Sequence, residues 1–158
     1  MDFTRLDYYD YYTNWSFWFN TLLLCVAIVM KIFTVFPTLT ASLAMAACVN
    51  AALVGLMGAV VLCLHESVDR KTMLNNAIAH ALPLFVAAVL LRRWPWAQPE
   101  LTYTIAILLL FGLAYMGVPD SEGNNGLRKM ARAYKFKRPL PWFIAMLMMG
   151  IFIAFMLQ

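Results

Sequence analysis

The feature that most constrains this chain is an uncharged apolar stretch at residues 73–91, MLNNAIAHALPLFVAAVLL, which is 19 residues long. An α-helix needs about 20 residues, each rising about 1.5 Å, to cross the hydrocarbon layer of a bilayer. Charged residues bracket the stretch on both sides. The pattern predicts a transmembrane helix that carries one titratable side chain, His80.

The composition predicts that lipid surrounds most of the chain. Of its 158 residues, 63% are hydrophobic and 13% are charged. Soluble domains have about 45–50% apolar and about 25% charged residues. We therefore predict an all-α polytopic membrane helix bundle that forms one domain over residues 1–158. About five transmembrane helices are expected, at residues 12–36, 39–64, 73–91, 101–118 and 139–157.

The distribution of Lys and Arg between the two sides of the membrane predicts how these helices are oriented. Five spans place nine of the 12 basic residues on the side of the N-terminus and three on the other side. Because cytoplasmic loops are enriched in Lys and Arg, we predict a cytoplasmic N-terminus and a C-terminus on the opposite side of the membrane. Six basic residues fall in the predicted cytoplasmic loop 119–138: Arg128, Lys129, Arg132, Lys135, Lys137 and Arg138.

The basic loop also suggests partners. Its segment LRKMARAYKFKR predicts an amphipathic helix on the membrane surface, and residues 128–138 are expected to contact anionic lipid headgroups. Tyr134 and Phe136 lie between its charges, but a loop beside anionic lipid explains this pattern better than nucleic-acid binding does. Homo-oligomers or membrane-complex partners are possible on sequence grounds.

The helix at 39–64 carries a stripe of small residues and one amide. Ala47, Ala51, Gly55 and Ala59 are spaced by four residues, so they share a helix face on which a neighbouring helix can approach closely. Asn50 lies near the middle of this span. We expect it to form a hydrogen bond to another helix.

Polar residues of two predicted helices are expected to meet in one half of the bilayer. Thr13 and Asn14 begin the first helix, while Asn76 and His80 lie in the first turns of the helix at 73–91. A neutral imidazole can take the proton of a threonine hydroxyl, and an amide can orient the ring or stabilise an oxyanion. We assign Thr13 and His80 as candidate catalytic residues and Asn14, Asn76 and Trp15 as candidate binding residues.

The same residues carry a family resemblance. The segment Tyr12-Thr13-Asn14-Trp15-Ser16-Phe17 resembles the start of the first helix in the androgen-induced family of multipass membrane threonine hydrolases. The segment NAIAH ending at His80, followed by Pro83 and Phe85, is similar to the histidine-bearing helix of that family. The resemblance implies hydrolysis of fatty-acid esters of hydroxy fatty acids, with Thr13 as nucleophile and His80 as base.

Structural roles are open for each of these residues. Thr13 is suited to cap the N-terminus of its helix. His80 and Asn76 can each form a hydrogen bond across a helix bundle without chemistry. The chain as a whole can equally be a non-catalytic structural subunit of a membrane complex, or a small channel or transporter, although charge within the spans is scarce.

No cofactor or metal is predicted. The chain has no phosphate-binding or dinucleotide-binding glycine motif and no H-E-x-x-H motif. Cys25, Cys48 and Cys63 lie in apolar runs without the spacing of a metal site.

Overall fold

The computed structural model describes residues 12–64, 81–82, 84–86, 88–89, 92–93, 96–134 and 137–156. These residues are helical or lie in short connections, and no β-strand occurs among them. Five continuous helices follow in chain order: α1 (Tyr12–Ile32), α2 (Pro37–Leu64), α3 (Leu101–Gly117), α4 (Gly126–Tyr134) and α5 (Pro139–Met156). The predicted all-α helix bundle is confirmed.

Three of these helices are long and apolar enough to cross a bilayer, over Asn14–Ile32, Pro37–Gly58 and Pro139–Met156. The apolar helix α3 is shorter, with 17 residues. Helix α5 exposes Ile144, Met148, Phe152 and Phe155, the last of them by 67%. An exposed apolar face of this length, on a helix long enough to span a bilayer, is typical of a membrane protein.

The predicted helix at 73–91 is described in part. Residues 81–82, 84–86 and 88–89 are helical. Leu84 packs against a core cluster of α1 and α2 that includes Leu23, Leu24 and Ala47. The other residues of 73–91 lie outside the described residues, so a fifth span stays a prediction.

The first helix ends four residues before the predicted bound of about residue 36. Helix α1 ends at Ile32, and Thr34 and Phe36 have positive φ angles of 53° and 42°. The Thr34 N–H donates to the Lys31 carbonyl and the Val35 N–H donates to the Met30 carbonyl, as in a Schellman turn. Phe36 precedes proline and is therefore driven out of helical geometry, which lets Pro37 begin α2.

Two small residues of the α2 stripe, Ala47 and Ala51, pack inside the bundle. Ala47 is fully buried and Ala51 is 2% exposed. Among the described residues α1 and α2 form the most extensive helix contact, which the absence of large side chains on this face permits. The predicted hydrogen bond of Asn50 to another helix is confirmed, since its Nδ2 donates to Asn20 Oδ1 of α1 over 2.9 Å.

Two contacts that involve aromatic rings show how α1 and α3 run relative to each other. The ring of Tyr12, at the start of α1, lies 5.1 Å from the ring of Tyr115 near the end of α3. Lys31 Nζ, at the other end of α1, lies 5.7 Å from the ring centroid of Trp96, which precedes α3. Helices α1 and α3 are therefore antiparallel. We call the end of the bundle with Tyr12, Tyr115 and α4 the α4 end.

Candidate functional site

The predicted catalytic pair lies outside the part of the chain whose side chains the structure describes. Thr13 is the second residue of α1. Its side chain lies outside the described residues, as do His80 and Asn76. The Thr–His pair therefore stays a prediction.

The two other predicted site residues, Asn14 and Trp15, are half-buried in the first turn of α1. The Trp15 ring stands edge-on to Tyr115, with a centroid separation of 6.0 Å. Trp15 thus packs at the α4 end, beside the cavity described next.

A cavity of about 290 Å³ lies between α3 and α5, with Tyr12 and α4 contributing to its wall. Its lining is almost entirely apolar. The lining residues are Tyr12, Leu53, Ile105, Leu108, Leu109, Gly112, Leu113, Tyr115, Met116, Met130, Phe143, Met146, Leu147, Gly150 and Ile151. Leu109, Leu113 and Leu147 are exposed, so the cavity opens at the surface of the bundle, where an apolar group can enter.

The cavity is elongated along the helices. On α3 it extends from Ile105 to Met116, eleven residues apart, which corresponds to about 16 Å along the axis. That length is roughly half of the ~30 Å hydrocarbon layer, the thickness of one leaflet. Gly112 creates part of the space, because a Cβ atom placed there would meet no heavy atom within 4 Å.

A chain of hydrogen bonds begins at the cavity wall and runs into the α1–α2 interface. The Tyr12 hydroxyl donates to Asn50 Oδ1 over 2.9 Å, and Asn50 donates in turn to Asn20. Asn50 is fully buried and Asn20 is 3% exposed. The chain fixes the Tyr12 ring against Phe111 and Tyr115, whose centroids lie 5.3 and 5.1 Å away. Tyr12 is therefore a rigid part of the cavity wall.

Lys129 of α4 is fully buried at the same end of the bundle. Its Nζ donates to the Tyr115 carbonyl over 3.1 Å and to the Val118 carbonyl over 3.0 Å. It also lies 4.1 Å from the ring centroid of Tyr115 and 5.1 Å from that of Trp15. A cation at a helix C-terminus is favoured by the helix dipole, and the ring faces add cation–π attraction.

The sequence explains why the C-terminus of α3 uses a lysine. The Tyr115 carbonyl would normally accept from the N–H of the residue four positions later, but that residue is Pro119, which has none. The Lys129 ammonium supplies the missing donor. In this way α4 is docked on the bundle, and its Met130, 2% exposed, lines the cavity.

The connection between α3 and α4 is ordered around the Asp120 carboxylate. Burial raises the pKa of Asp120, but hydrogen bonds from the backbones of Asn124 and Glu122 and from the side chains of Asn124 and Arg132 outweigh it and hold this pKa below its usual value. Arg132 Nε lies 2.8 Å from Asp120 Oδ2, and its Nη1 lies 2.7 Å from Glu122. The contribution of Asp120 to stability is present above the carboxyl's unfolded-state pKa and is lost as pH falls through the lowered value.

The structure corrects the picture of a uniformly basic surface helix. Over residues 126–134 the expected amphipathic helix is present. Its Lys129 nevertheless points into the bundle, and its Arg132, whose side chain is 32% exposed, pairs with Asp120 and Glu122. The expected contact of residues 128–138 with anionic headgroups stays a prediction. Arg128, Lys137 and Arg138 are exposed. The one sequence signal for the buried lysine is Pro119, which removes a donor from the end of α3.

Neither a metal site nor a relative was found. Within the described ranges no three His, Cys, Asp or Glu residues are close enough to hold a metal ion. The sequence matches no family model, and no curated protein or solved structure matches it.

Proposed function

We propose that this membrane protein binds the acyl chain of a lipid in the cavity between α3 and α5. The observation that carries the proposal is the match between the apolar cavity, about 16 Å long, and the depth of one leaflet. Binding sites for small molecules are typically apolar, with a few polar groups that orient the ligand. Tyr12 lines this cavity, and its hydroxyl donates to Asn50.

Filling the cavity tests this proposal. Gly112→Leu places a side chain in the space without meeting another atom within 4 Å of its Cβ. It displaces about two methylenes of ligand, worth about 0.8 kcal/mol each, so the affinity for lipid is expected to fall about tenfold. Native mass spectrometry of the purified protein, titrated with a phospholipid, counts the bound molecules.

Gly55→Leu is the matched control. Gly55 lies in the middle of α2, also has open space around its Cβ, and does not line the cavity. Both substitutions raise helix propensity by about the same amount, so any general effect on the fold is shared. Equal lipid binding by the two variants would contradict the proposal and favour a structural-subunit role.

A second candidate function is hydrolysis of a bound lipid ester by Thr13 and His80. Tyr12, the residue before Thr13, lines the cavity, so a bound acyl chain would lie close to the start of α1. In the proposed reaction Thr13 Oγ attacks the ester carbonyl, and His80 takes its proton and transfers it to the departing alcohol oxygen. Water then cleaves the acyl-threonine with the same base. The family resemblance supports this activity.

A fluorophosphonate activity probe tests the hydrolase. We expect covalent labelling at Thr13, and a reduction of about 100-fold or more in His80→Ala, because general-base catalysis contributes about that factor. Thr21→Ala is the control on the same helix, since Thr21 is exposed and its Oγ1 donates to the Phe17 carbonyl over 2.8 Å. Absence of labelling in the wild type, or undiminished labelling in His80→Ala, would remove the hydrolase and leave lipid binding in place.

The orientation belongs to the same proposal. Tyr12 and the basic residues of α4 lie at one end of the bundle, and Lys31 and Trp96 lie at the other. We assign the α4 end to the cytoplasmic side, because it carries more Lys and Arg. The cavity would then lie in the cytoplasmic leaflet.

A further inference from the structure

We propose that the lipid in the cavity is anionic and that Lys137 and Arg138 bind the phosphodiester of its headgroup. This inference rests on the proposed function, because it concerns the headgroup of the lipid whose acyl chain the cavity holds. It goes beyond that function by naming the chemical class of the lipid and the residues that select it.

The contacts of the basic residues separate them into two groups. Lys129 is buried and donates to two backbone carbonyls, and Arg132, whose side chain is 32% exposed, is paired with Asp120 and Glu122. Lys137 and Arg138, by contrast, are exposed and have no ion-pair partner among the described residues. Their charges are therefore available to an anion.

Lys137 and Arg138 directly precede the helix that forms one wall of the cavity. Arg138 directly precedes Pro139, the first residue of α5. Phe143, the first residue of α5 that lines the cavity, is four residues further, or about 6 Å along the helix axis. A lipid whose acyl chain packs between α3 and α5 would thus have its headgroup at the level of Lys137 and Arg138.

Arg128 is a less suitable ligand for this headgroup. It lies two residues from Met130 on α4, which is about 200° around the helix. Met130 faces the cavity, so Arg128 points away from it and is exposed. The inference is therefore confined to the pair that precedes α5.

The test compares phosphatidylglycerol with phosphatidylcholine of identical acyl chains, titrated into the full-length protein and followed by native mass spectrometry. We expect the wild type to prefer phosphatidylglycerol by ~tenfold or more, since a basic residue near anionic lipid is worth about fivefold in affinity. Lys137→Gln/Arg138→Gln should lower the affinity for phosphatidylglycerol to that for phosphatidylcholine and leave the latter unchanged.

The matched control is Arg92→Gln/Arg93→Gln. These arginines are likewise adjacent and exposed, and their removal changes the net charge equally. Loss of the preference in both double variants would show an effect of net charge and would overturn the inference. Displacement of phosphatidylglycerol by inorganic phosphate would assign the pair to a soluble anion and overturn it too.

Failure of the inference and failure of the proposed function give different results. If the wild type binds both lipids equally, and Gly112→Leu weakens both, the cavity holds acyl chains without selecting the headgroup. If Gly112→Leu leaves both affinities unchanged, the proposed function fails and the inference fails with it.

Discussion

Lys129→Met is expected to lower the free energy of unfolding by about 3 kcal/mol. The substitution leaves the carbonyls of Tyr115 and Val118 without their donor, and hydrogen bonds from a charged group contribute about 1.5–3 kcal/mol each. It also removes two cation–π contacts. Burying an ammonium group costs desolvation free energy, and because methionine avoids this cost, part of the loss is offset. Methionine keeps the length of the side chain, so little volume is lost.

The measurement is reversible unfolding in mixed micelles, with Arg128→Met as the control. Arg128 is the neighbouring residue on α4 and is exposed, so its substitution is expected to change the free energy of unfolding by less than about 0.5 kcal/mol. Equal stability of the two variants would show that the buried ammonium does not hold α4 on the bundle.

Asn50→Leu is expected to lower the free energy of unfolding by about 2 kcal/mol. The leucine removes the acceptor of the Tyr12 hydroxyl and the donor to Asn20 at once. Each buried polar group left without a partner costs about 1–3 kcal/mol, while interhelical hydrogen bonds in membranes average about 0.6 kcal/mol. The loss therefore comes mainly from the unpaired partners. Freeing the Tyr12 ring should also weaken lipid binding, since Tyr12 lines the cavity.

A double-mutant cycle with Asn20→Leu separates these contributions. Replacing both amides removes the donor and the acceptor of the Asn20–Asn50 hydrogen bond together, while the Tyr12 hydroxyl lacks its acceptor in both variants that carry Asn50→Leu. Asn20→Leu/Asn50→Leu should therefore be less destabilised than the sum of the two single variants. Strict additivity in the same unfolding assay would mean that the two amides do not interact across the α1–α2 interface.

The helices and the interhelical amide could be predicted because each depends on a local property of the sequence. Runs of apolar residues of membrane-spanning length predict α1, α2 and α5. Asn50 lies alone in such a run, where no water can form hydrogen bonds with its amide, so a partner on another helix is expected. The end of α1 could not be predicted in the same way. Its Schellman turn places Thr34, a β-branched residue, at the positive φ where glycine or asparagine is usual.

The role of Lys129 depends on residues far along the chain and could not be predicted from its neighbours. Composition alone groups it with five nearby basic residues as a surface charge. Three features stabilise its buried ammonium. Pro119 lacks an N–H, the Tyr115 carbonyl is therefore left as an acceptor for Lys129, and the rings of Tyr115 and Trp15 add cation–π contacts. The cavity is equally non-local, since residues of α2, α3, α4 and α5 line it and the open space beside Gly112 depends on how these helices pack.

The central claim is that an acyl chain occupies the cavity, and photo-crosslinking of lipids with a diazirine in the acyl chain tests it most directly. A diazirine close to the headgroup should label Met130 and Phe143, and one at the methyl end should label Ile105 and Ile151. Labelling confined to the lipid-facing side chains of α5, such as Phe152 and Phe155, with none in the cavity, would contradict the claim.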